Sequence, residues 1–239
     1  MKKKSVDNDL TMLSGNWTFK NIEKKFDRHI EKSIPFYKEI HQICLNCSEF
    51  FNAEDAIFLD IGCSTGTLIK KMANKYSIKD YKIKFIGVDT IGSMIKEAKK
   101  NTKDKRITFK NLSINNLKMK NEINFITSVF TMQFIKTQER QNVYDKIYKN
   151  LAPGGAFILF EKVLAENGKF QDIYNGVYND FKLNQKFSEA QISQKTLSLR
   201  GKLDCFSSKE NEDCLKIAGF KKITTIFKWF CFHGYMCIK

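Results

Sequence analysis

The stretch LDIGCSTGTLIKK, residues 59–71, combines the end of an apolar run, a turn of small residues and the start of a helical pattern. The run from Ala56 to Ile61 is short and continuous, which is typical of a strand buried on both faces of a parallel sheet. Gly62 and Gly66 enclose small side chains, so the chain can turn sharply and a ligand can approach its backbone. Two glycines at this spacing also suit a plain strand-to-helix turn. The stretch therefore predicts a strand, a turn and a helix, and a ligand site if other residues support one.

Apolar runs and helical patterns alternate along the rest of the chain. Four further strands are predicted at residues 82–88, 107–110, 124–129 and 156–160, and helices at 34–51, 68–76, 93–100, 139–151, 170–182, 188–199 and 209–218. Two closing strands, 222–229 and 232–238, are predicted to pair antiparallel. This rhythm predicts an α/β fold with a doubly wound, mostly parallel, seven-stranded Rossmann-like sheet, an antiparallel edge hairpin and an N-terminal helical cover.

Composition excludes several classes of protein. The chain has 239 residues, of which 42 % are hydrophobic and 28 % charged, as in ordinary globular domains. No run approaches the length of about 18 uncharged apolar residues that a membrane helix needs, and the lysine-rich start leads into no apolar signal core. We therefore expect a cytoplasmic protein that does not use the membrane. The histidines His29, His41 and His233 and the single CxxC, at Cys44 and Cys47, lack metal-site spacing, so no metal is predicted.

The net charge is unusually positive. Forty-one Lys and Arg against 26 Asp and Glu give +15, which by itself favours a nucleic-acid or anionic-membrane partner. Specific recognition of phosphates and bases favours arginine, because its planar guanidinium donates two parallel hydrogen bonds. Only four of the basic residues are arginines, namely Arg28, Arg106, Arg140 and Arg200. A nucleic-acid partner stays open but is not favoured.

An acidic residue follows the second predicted strand. Asp89 stands 27 positions after Gly62, at the carboxyl end of the run IGVDT, where a carboxylate can accept hydrogen bonds from both hydroxyls of a ribose. The turn lacks the third glycine of a dinucleotide fingerprint, so a nucleoside without phosphates fits better. Met94 follows with apolar neighbours that suit an adenine face, although core packing explains such residues equally well.

Three segments of the chain, taken together, resemble those of a known superfamily. The segments GCSTG (62–66), VD (88–89) and NLAPGGAFILFEK (150–162) are similar to those of class I S-adenosylmethionine-dependent methyltransferases. The resemblance covers about residues 55–239. It implies that S-adenosyl-L-methionine is the cofactor, that the glycine turn contacts its methionine end, and that Asp89 with Thr90 binds its ribose. Residues 51–239 would then form the methyltransferase domain, preceded by a helical cap segment at 1–50.

A closer resemblance extends into the N-terminal segment. The segments GNWTF (15–19), HIEKSIPFY (29–37), FTMQF (130–134), YNDFK (178–182) and SEAQISQK (188–195) resemble the carboxy-S-adenosylmethionine synthases. Those enzymes use prephenate to convert the cofactor's methyl group to a carboxymethyl group, which is then used to modify wobble uridine in tRNA. The expected cofactor-binding residues are Tyr37, Asp60, Gly62, Cys63, Ser64, Gly66, Asp89, Thr90, Met94, Ser113, Ile114 and Val129.

The chain departs from the pattern of that branch at three positions. Ser113 stands where the family has an aspartate, and Val129 where it has an asparagine. After ISQK the family has an arginine that holds the new carboxylate, and this chain has Thr196. A carboxylate in a partly desolvated pocket without a cation costs several kcal/mol, which argues against carboxylation. Arg200 lies one helical turn further and offers a replacement.

The sequence alone therefore favours transfer of a methyl group to a small molecule of glycan or natural-product type. This acceptor can be anionic. Carboxy-S-adenosylmethionine synthesis is the enzyme alternative, and a methyltransferase that binds tRNA directly is the third. Tyr178 and Arg200 are the expected substrate-binding residues. No unmistakable catalytic base is present, and His29 is the candidate for that role. A small-molecule acceptor is the expected partner, and a homodimer stays open.

Overall fold

The computed structural model describes residues 23–77, 82–119 and 122–239. The helices are α1 (Glu23–Ser33), α2 (Tyr37–Ser48), α3 (Thr67–Lys75), α4 (Gly92–Lys100), α5 (Thr137–Asn150), α6 (Gly168–Asn184), α7 (Glu189–Ser198) and α8 (Ser208–Ile217). The strands are β1 (Ile57–Ile61), β2 (Lys84–Asp89), β3 (Ile107–Asn111), β4 (Ile123–Val129), β5 (Leu151–Lys162), β6 (Lys222–Trp229) and β7 (Phe232–Ile238). Short 3-10 turns occur at Glu49–Phe51, Ile114–Asn116 and Met132–Phe134.

The seven strands form one sheet in the order β3-β2-β1-β4-β5-β7-β6. The first five strands are parallel to their neighbours, whereas β7 runs antiparallel to both β5 and β6. The predicted seven-stranded, doubly wound sheet with an antiparallel edge hairpin is therefore confirmed. The chain order reverses between β1 and β4, and this switch point is where ligands bind in open sheets of this kind.

Helices cover both faces of the sheet, because alternate residues of each central strand point to opposite sides. On one face Phe58, Phe85 and Phe125 pack with residues from α2, α3 and α4. On the other face Leu59 and Ile126 pack with residues from α5 and α8. Since both faces are covered, the central strands are mostly apolar, as the sequence pattern predicts.

The N-terminal cover differs from its prediction. The sequence predicts one helix over 34–51, whereas the structure has α1, a break and then α2, which begins at Tyr37. Pro35 cannot donate a backbone hydrogen bond, and Phe36 adopts a left-handed conformation with φ 57°, so the chain changes direction here. The motif GNWTF at 15–19 lies outside the described residues.

Strand β5 is longer than predicted because its start is irregular. Leu151 pairs with Ile123 and Ala156 with Phe125, so the residues between them bulge out of register. This bulge contains Pro153, which lacks a backbone donor, and Gly154 at φ 76°. A strand prediction based on continuous apolar residues therefore begins too late.

Two negative findings concern the described residues only. None of their helices is long and apolar enough to cross a membrane. Across 23–77, 82–119 and 122–239, no three His, Cys, Asp or Glu residues come together as metal ligands would. All seven cysteines lie in these ranges as free thiols.

Candidate active site

A cavity of about 1000 Å³ lies beyond the carboxyl ends of β1, β2 and β4. Helices α1, α6 and α7 contribute a further part of its wall. Its position coincides with the switch point of the sheet, so strand tips, a helix start and the N-terminal cover all face the same space. The wall includes the following expected site residues: His29, Tyr37, Asp60, Gly62, Cys63, Ser64, Asp89, Thr90, Met94, Ser113, Ile114, Val129, Tyr178 and Arg200.

The glycine turn after β1 is held tightly against its neighbours. The backbone N–H groups of Gly62 and Cys63 both donate to the carbonyl oxygen of Val88, at 2.8 and 3.0 Å. Gly62 has φ 71°, and a Cβ at this position would lie 2.1 Å from Oγ1 of Thr131. Ser64 also adopts a positive φ, of 52°, which costs free energy for a residue with a side chain. The turn therefore has a well-defined conformation, and its residues Gly62, Cys63 and Ser64 line the cavity.

Gly66 has a different role from the other turn residues. It does not line the cavity, although the sequence groups it with the cofactor-binding residues. It is the N-cap of α3, with φ 75°, and a Cβ there would lie 2.5 Å from Cζ of Phe109. Gly66 therefore allows α3 to start close to β3, and its contribution to the site is indirect.

The Asp89 carboxylate is oriented by backbone donors on both sides. Its Oδ2 accepts a hydrogen bond from the Ser64 N–H at 2.9 Å, and its Oδ1 accepts one from the Ile91 N–H at 2.8 Å. Burial raises the pKa of Asp89, while these hydrogen bonds act to lower it. Each oxygen keeps a lone pair for a second donor, so the carboxylate is preorganised to accept hydrogen bonds from two hydroxyl groups.

Asp60 lies at the tip of β1, beneath the turn. It is 3 % exposed, and its Oδ1 accepts a hydrogen bond from the Thr127 hydroxyl at 2.8 Å. Burial raises its pKa to about 7, against the opposing effect of the Thr127 hydrogen bond.

The Tyr37 ring lies 4.4 Å from the ring of His41. Burial, together with the charges of Asp27 and Asp60, raises the pKa of the Tyr37 hydroxyl.

Replacing Asp60 with asparagine should flatten the pH dependence of folding stability. The folded pKa, about 7, exceeds the ordinary value of 3.8, so the free energy of unfolding should fall as pH rises from about 4 to 7. The fall should approach about 4 kcal/mol if Asp60 alone is responsible. Urea unfolding of both proteins at pH 4 and pH 8 measures this fall. The exposed Asp55→Asn variant is the control, and an unchanged slope in Asp60→Asn would show that another group causes the effect.

The expected adenine side of the cavity combines apolar walls with a small polar turn. Met94 and Ile114 are 1 % and 4 % exposed and contribute apolar surface. Ser113 accepts a hydrogen bond from the Asn115 N–H and so caps the short turn that follows β3. Where the resemblance leads one to expect an aspartate, the serine oxygen is thus used to order its own backbone. Val129 lines the cavity at the end of β4.

Cys63 is an unreactive part of the turn. It is 5 % exposed, and burial raises its thiol pKa well above the ordinary value, with the nearby charges of Asp60 and Asp89 adding to the effect. A thiol rather than a thiolate is therefore present at neutral pH, which excludes Cys63 as a nucleophile. The sequence-based expectation that it serves as a small backbone-contact residue is consistent with this environment.

Helix α1 is fastened to the glycine turn by a carboxylate. Asp27 accepts hydrogen bonds from the hydroxyls of Thr65 and Thr67, at 2.7 and 3.0 Å. The cover is thus connected to the start of α3 and closes one side of the cavity. The sequence interpretation missed Asp27, because nothing local to α1 indicates a contact with residues about 40 positions away.

The far end of the cavity is basic. Lys162, Lys182, Lys195 and Arg200 all line its wall, and Thr196 does so as well. The Thr196 hydroxyl donates to the carbonyl oxygen of Ile192 at 2.9 Å, within its own helix. Position 196 therefore carries no charge, but other cations line the same cavity. Lys162 and Lys182 occur in the motifs FEK and YNDFK, but the sequence could not show that the two side chains face the same space.

His29 and Tyr178 connect α1 with α6 and α7 at this end. The His29 Nε2 lies 3.2 Å from Nζ of Lys195 and 3.3 Å from Oγ of Ser33. The Tyr178 hydroxyl donates to the Ser33 carbonyl oxygen at 2.8 Å. The candidate base His29 and the expected substrate-binding residue Tyr178 therefore lie on the same part of the cavity wall.

The chain is similar to several known proteins. A family described as a methyltransferase domain matches residues 58–155. The carboxy-S-adenosyl-L-methionine synthase of Staphylococcus epidermidis is 38 % identical over 225 residues, covering 93 % of this chain and 97 % of the relative. That of Campylobacter jejuni subsp. jejuni (serotype O:23/36) is 35 % identical and covers 92 % of each chain.

Solved structures support the fold. Human N-acetylserotonin methyltransferase, solved with S-adenosylmethionine, superposes with a TM-score of 0.56 at 14 % identity, covering 83 % of this chain and 51 % of that one. The similarity to the curated relatives spans nearly the whole length of both chains. The chain therefore belongs to the class I S-adenosyl-L-methionine-dependent methyltransferase superfamily, within the family of the carboxy-S-adenosyl-L-methionine synthases, and is a transferase that uses S-adenosyl-L-methionine.

Proposed function

We propose that this protein is a carboxy-S-adenosyl-L-methionine synthase that takes S-adenosyl-L-methionine and prephenate as substrates. The observation that carries the proposal is the basic part of the cavity wall, because Lys162, Lys182 and Arg200 line the same cavity as Thr196. The sequence alone favours methyl transfer, because the carboxylate would lack its arginine. These cations remove that objection, and the near full-length similarity to synthases of this name also supports the carboxylating reaction.

The residues of the strand tips fit S-adenosyl-L-methionine. Asp89 presents two oriented oxygens for the ribose hydroxyls, and the backbone of the glycine turn lines the same cavity. Met94 and Ile114 supply an apolar wall for the adenine. When bound, S-adenosyl-L-methionine would supply a methyl group whose C–H bonds are acidified by the adjacent sulfonium. The new C–C bond requires loss of one methyl proton, and its carboxyl carbon would come from prephenate, which leaves as phenylpyruvate and water.

The remaining tasks of the protein are to orient the second substrate and to exclude water. Positioning two reactants within one cavity converts a bimolecular encounter into an effectively unimolecular step, which is a large part of enzymatic acceleration. Asp27 fastens the α1 cover over the turn and so limits the access of water. Cations at the far end offset the cost of desolvating a carboxylate. His29, with Lys195 beside it, is the proposed base that removes the methyl proton.

Incubation of the purified protein with S-adenosyl-L-methionine and prephenate should yield a cofactor product heavier by one carboxyl group. Mass spectrometry of the small molecules detects it directly. Reactions that lack prephenate or contain phenylpyruvate in its place are the controls and should give no such product. If the complete reaction leaves S-adenosyl-L-methionine unchanged while both substrates bind, the proposed reaction is wrong.

Methyl transfer to a small anionic acceptor is the second candidate. Thr196 favours it, since its hydroxyl donates within α7 and carries no charge for a new carboxylate. The two reactions leave different products, because methyl transfer converts the cofactor to S-adenosylhomocysteine and adds no carboxyl group. Formation of S-adenosylhomocysteine with a panel of small carboxylate or phosphate acceptors, in the absence of prephenate, would therefore favour this candidate.

A further inference from the structure

Two lysines flank one tyrosine at the far end of the cavity. The Nζ atom of Lys182 lies 4.2 Å from the centroid of the Tyr178 ring, and Nζ of Lys162 lies 5.0 Å from it. Lys182 follows Tyr178 by one turn of α6, whereas Lys162 comes from the end of β5. The Tyr178 hydroxyl is anchored to the carbonyl oxygen of Ser33, and the ring packs edge-on against Phe232 at 5.1 Å. Four elements of the fold, α1, β5, α6 and β7, therefore hold this arrangement.

The two ammonium groups have no acidic partner among the described residues. Neither Lys162 nor Lys182 forms an ion pair there, and Lys182 is only 9 % exposed. The charged and titratable groups that act on Lys182 are Lys162 from β5 and the Cys231 thiol from the turn between β6 and β7. Burial raises the pKa of Cys231, so this group is a neutral thiol rather than a counter-ion.

Positive charges placed close together at low exposure carry an electrostatic cost that an anion would relieve. Burial and the charge of Lys162 lower the pKa of Lys182 to about 8, which is the expected response of an ammonium group without a counter-ion. The aromatic face of Tyr178 offsets only part of this cost. Both side chains line the cavity, so an anion that enters it can reach them.

We propose that Lys162 and Lys182, held by Tyr178, form the subsite that binds a carboxylate of the second substrate. The inference rests on the proposed function, which requires an acidic co-substrate beside S-adenosyl-L-methionine. Arg200 alone is a weaker candidate, because it is exposed and its charge is screened by water. A carboxylate gains more from an ammonium group at low exposure, where the effective dielectric constant is lower.

Lys182→Met and Lys162→Met test the subsite, since methionine keeps much of the side-chain length and removes the charge. The probe is prephenate, titrated by calorimetry into protein saturated with S-adenosylhomocysteine. We expect each variant to bind prephenate about ten- to one-hundred-fold more weakly, the range for a lost hydrogen bond to a charged group. Affinity for S-adenosyl-L-methionine should stay unchanged. Lys169→Met, an exposed position of the same helix α6, is the matched control and should behave as the wild type.

Lys182→Arg provides a readout that a purely structural role would not change. Arginine stays protonated at all accessible pH values, whereas Lys182 loses its proton above about pH 8. Prephenate affinity should therefore fall between pH 7 and pH 9.5 in the wild type and persist in Lys182→Arg. Thermal unfolding of each variant verifies that it is folded.

Different experimental results would contradict the proposed subsite and the proposed reaction. If the wild type forms the carboxylated product and the methionine variants bind prephenate as tightly as the wild type, the subsite is wrong and the reaction stands. If the wild type forms no product but binds prephenate in a manner that depends on Lys162 and Lys182, the subsite is supported and the proposed reaction is wrong.

Discussion

Replacing Asp89 with alanine should abolish measurable binding of S-adenosyl-L-methionine while the protein stays folded. The carboxylate is preset by the Ser64 and Ile91 N–H groups, so its remaining lone pairs point into the cavity. Loss of two hydrogen bonds to a charged acceptor, at about 1.5–3 kcal/mol each, weakens binding by at least about one-hundred-fold. Calorimetry with S-adenosyl-L-methionine measures the affinity, and circular dichroism the fold.

A graded series separates the charge from the shape of this side chain. Asp89→Asn keeps one oxygen acceptor and should lose affinity by about ten-fold, less than alanine does. Asp145→Ala removes an exposed carboxylate on α5, away from the cavity, and should bind as the wild type does. If Asp89→Ala retains affinity within a few-fold of the wild type, Asp89 does not bind the ribose.

Replacing Gly66 with alanine should destabilise the protein by about 2–5 kcal/mol. A left-handed residue with a side chain costs about 1–2 kcal/mol, and forcing a methyl group into a packed core adds about 1–3. The new Cβ would lie 2.5 and 2.6 Å from two atoms of the buried Phe109 ring. A loss of this size is a large fraction of typical domain stability. Urea unfolding, followed by fluorescence or circular dichroism, measures it.

Gly154 offers a control with nearly the same backbone φ angle. Its φ is 76° against 75° for Gly66, but a Cβ there would have no atom within 4 Å. Gly154→Ala should therefore show the backbone cost alone, and the difference between the two variants isolates the contact with Phe109. Adding Phe109→Leu to Gly66→Ala should recover part of the loss. Equal destabilisation by both alanine variants would contradict the role assigned to Phe109.

The sheet could be predicted from the sequence because its central strands are buried on both sides. Such strands appear as short continuous apolar runs, and the helices between them keep their own periodicity. The closing hairpin was placed at its observed bounds, Lys222–Trp229 and Phe232–Ile238. The start of β5 and helix α1 were missed. A bulge interrupts the apolar run in the first case, and α1 is largely polar.

The candidate site was predictable only where its residues follow a strand directly. Residues after β1 and β2 must lie at the same edge of a parallel sheet, so the glycine turn and Asp89 were expected to meet. Asp27, Lys162 and Lys182 are far apart in the chain, and no local pattern connects them. Their roles depend on how α1 and α6 pack over the sheet.

The sequence by itself determined the order of strands and helices, the place of the ligand turn and the superfamily, because hydrophobic periodicity and turn chemistry are local properties. Only the tertiary structure decided the electrostatic character of the cavity. Charge at a site depends on distances between side chains and on their removal from water, and neither quantity can be obtained from spacing along the chain. Thr196 in the sequence argued against carboxylation, whereas the folded chain brings cations from other elements to the wall of the same cavity.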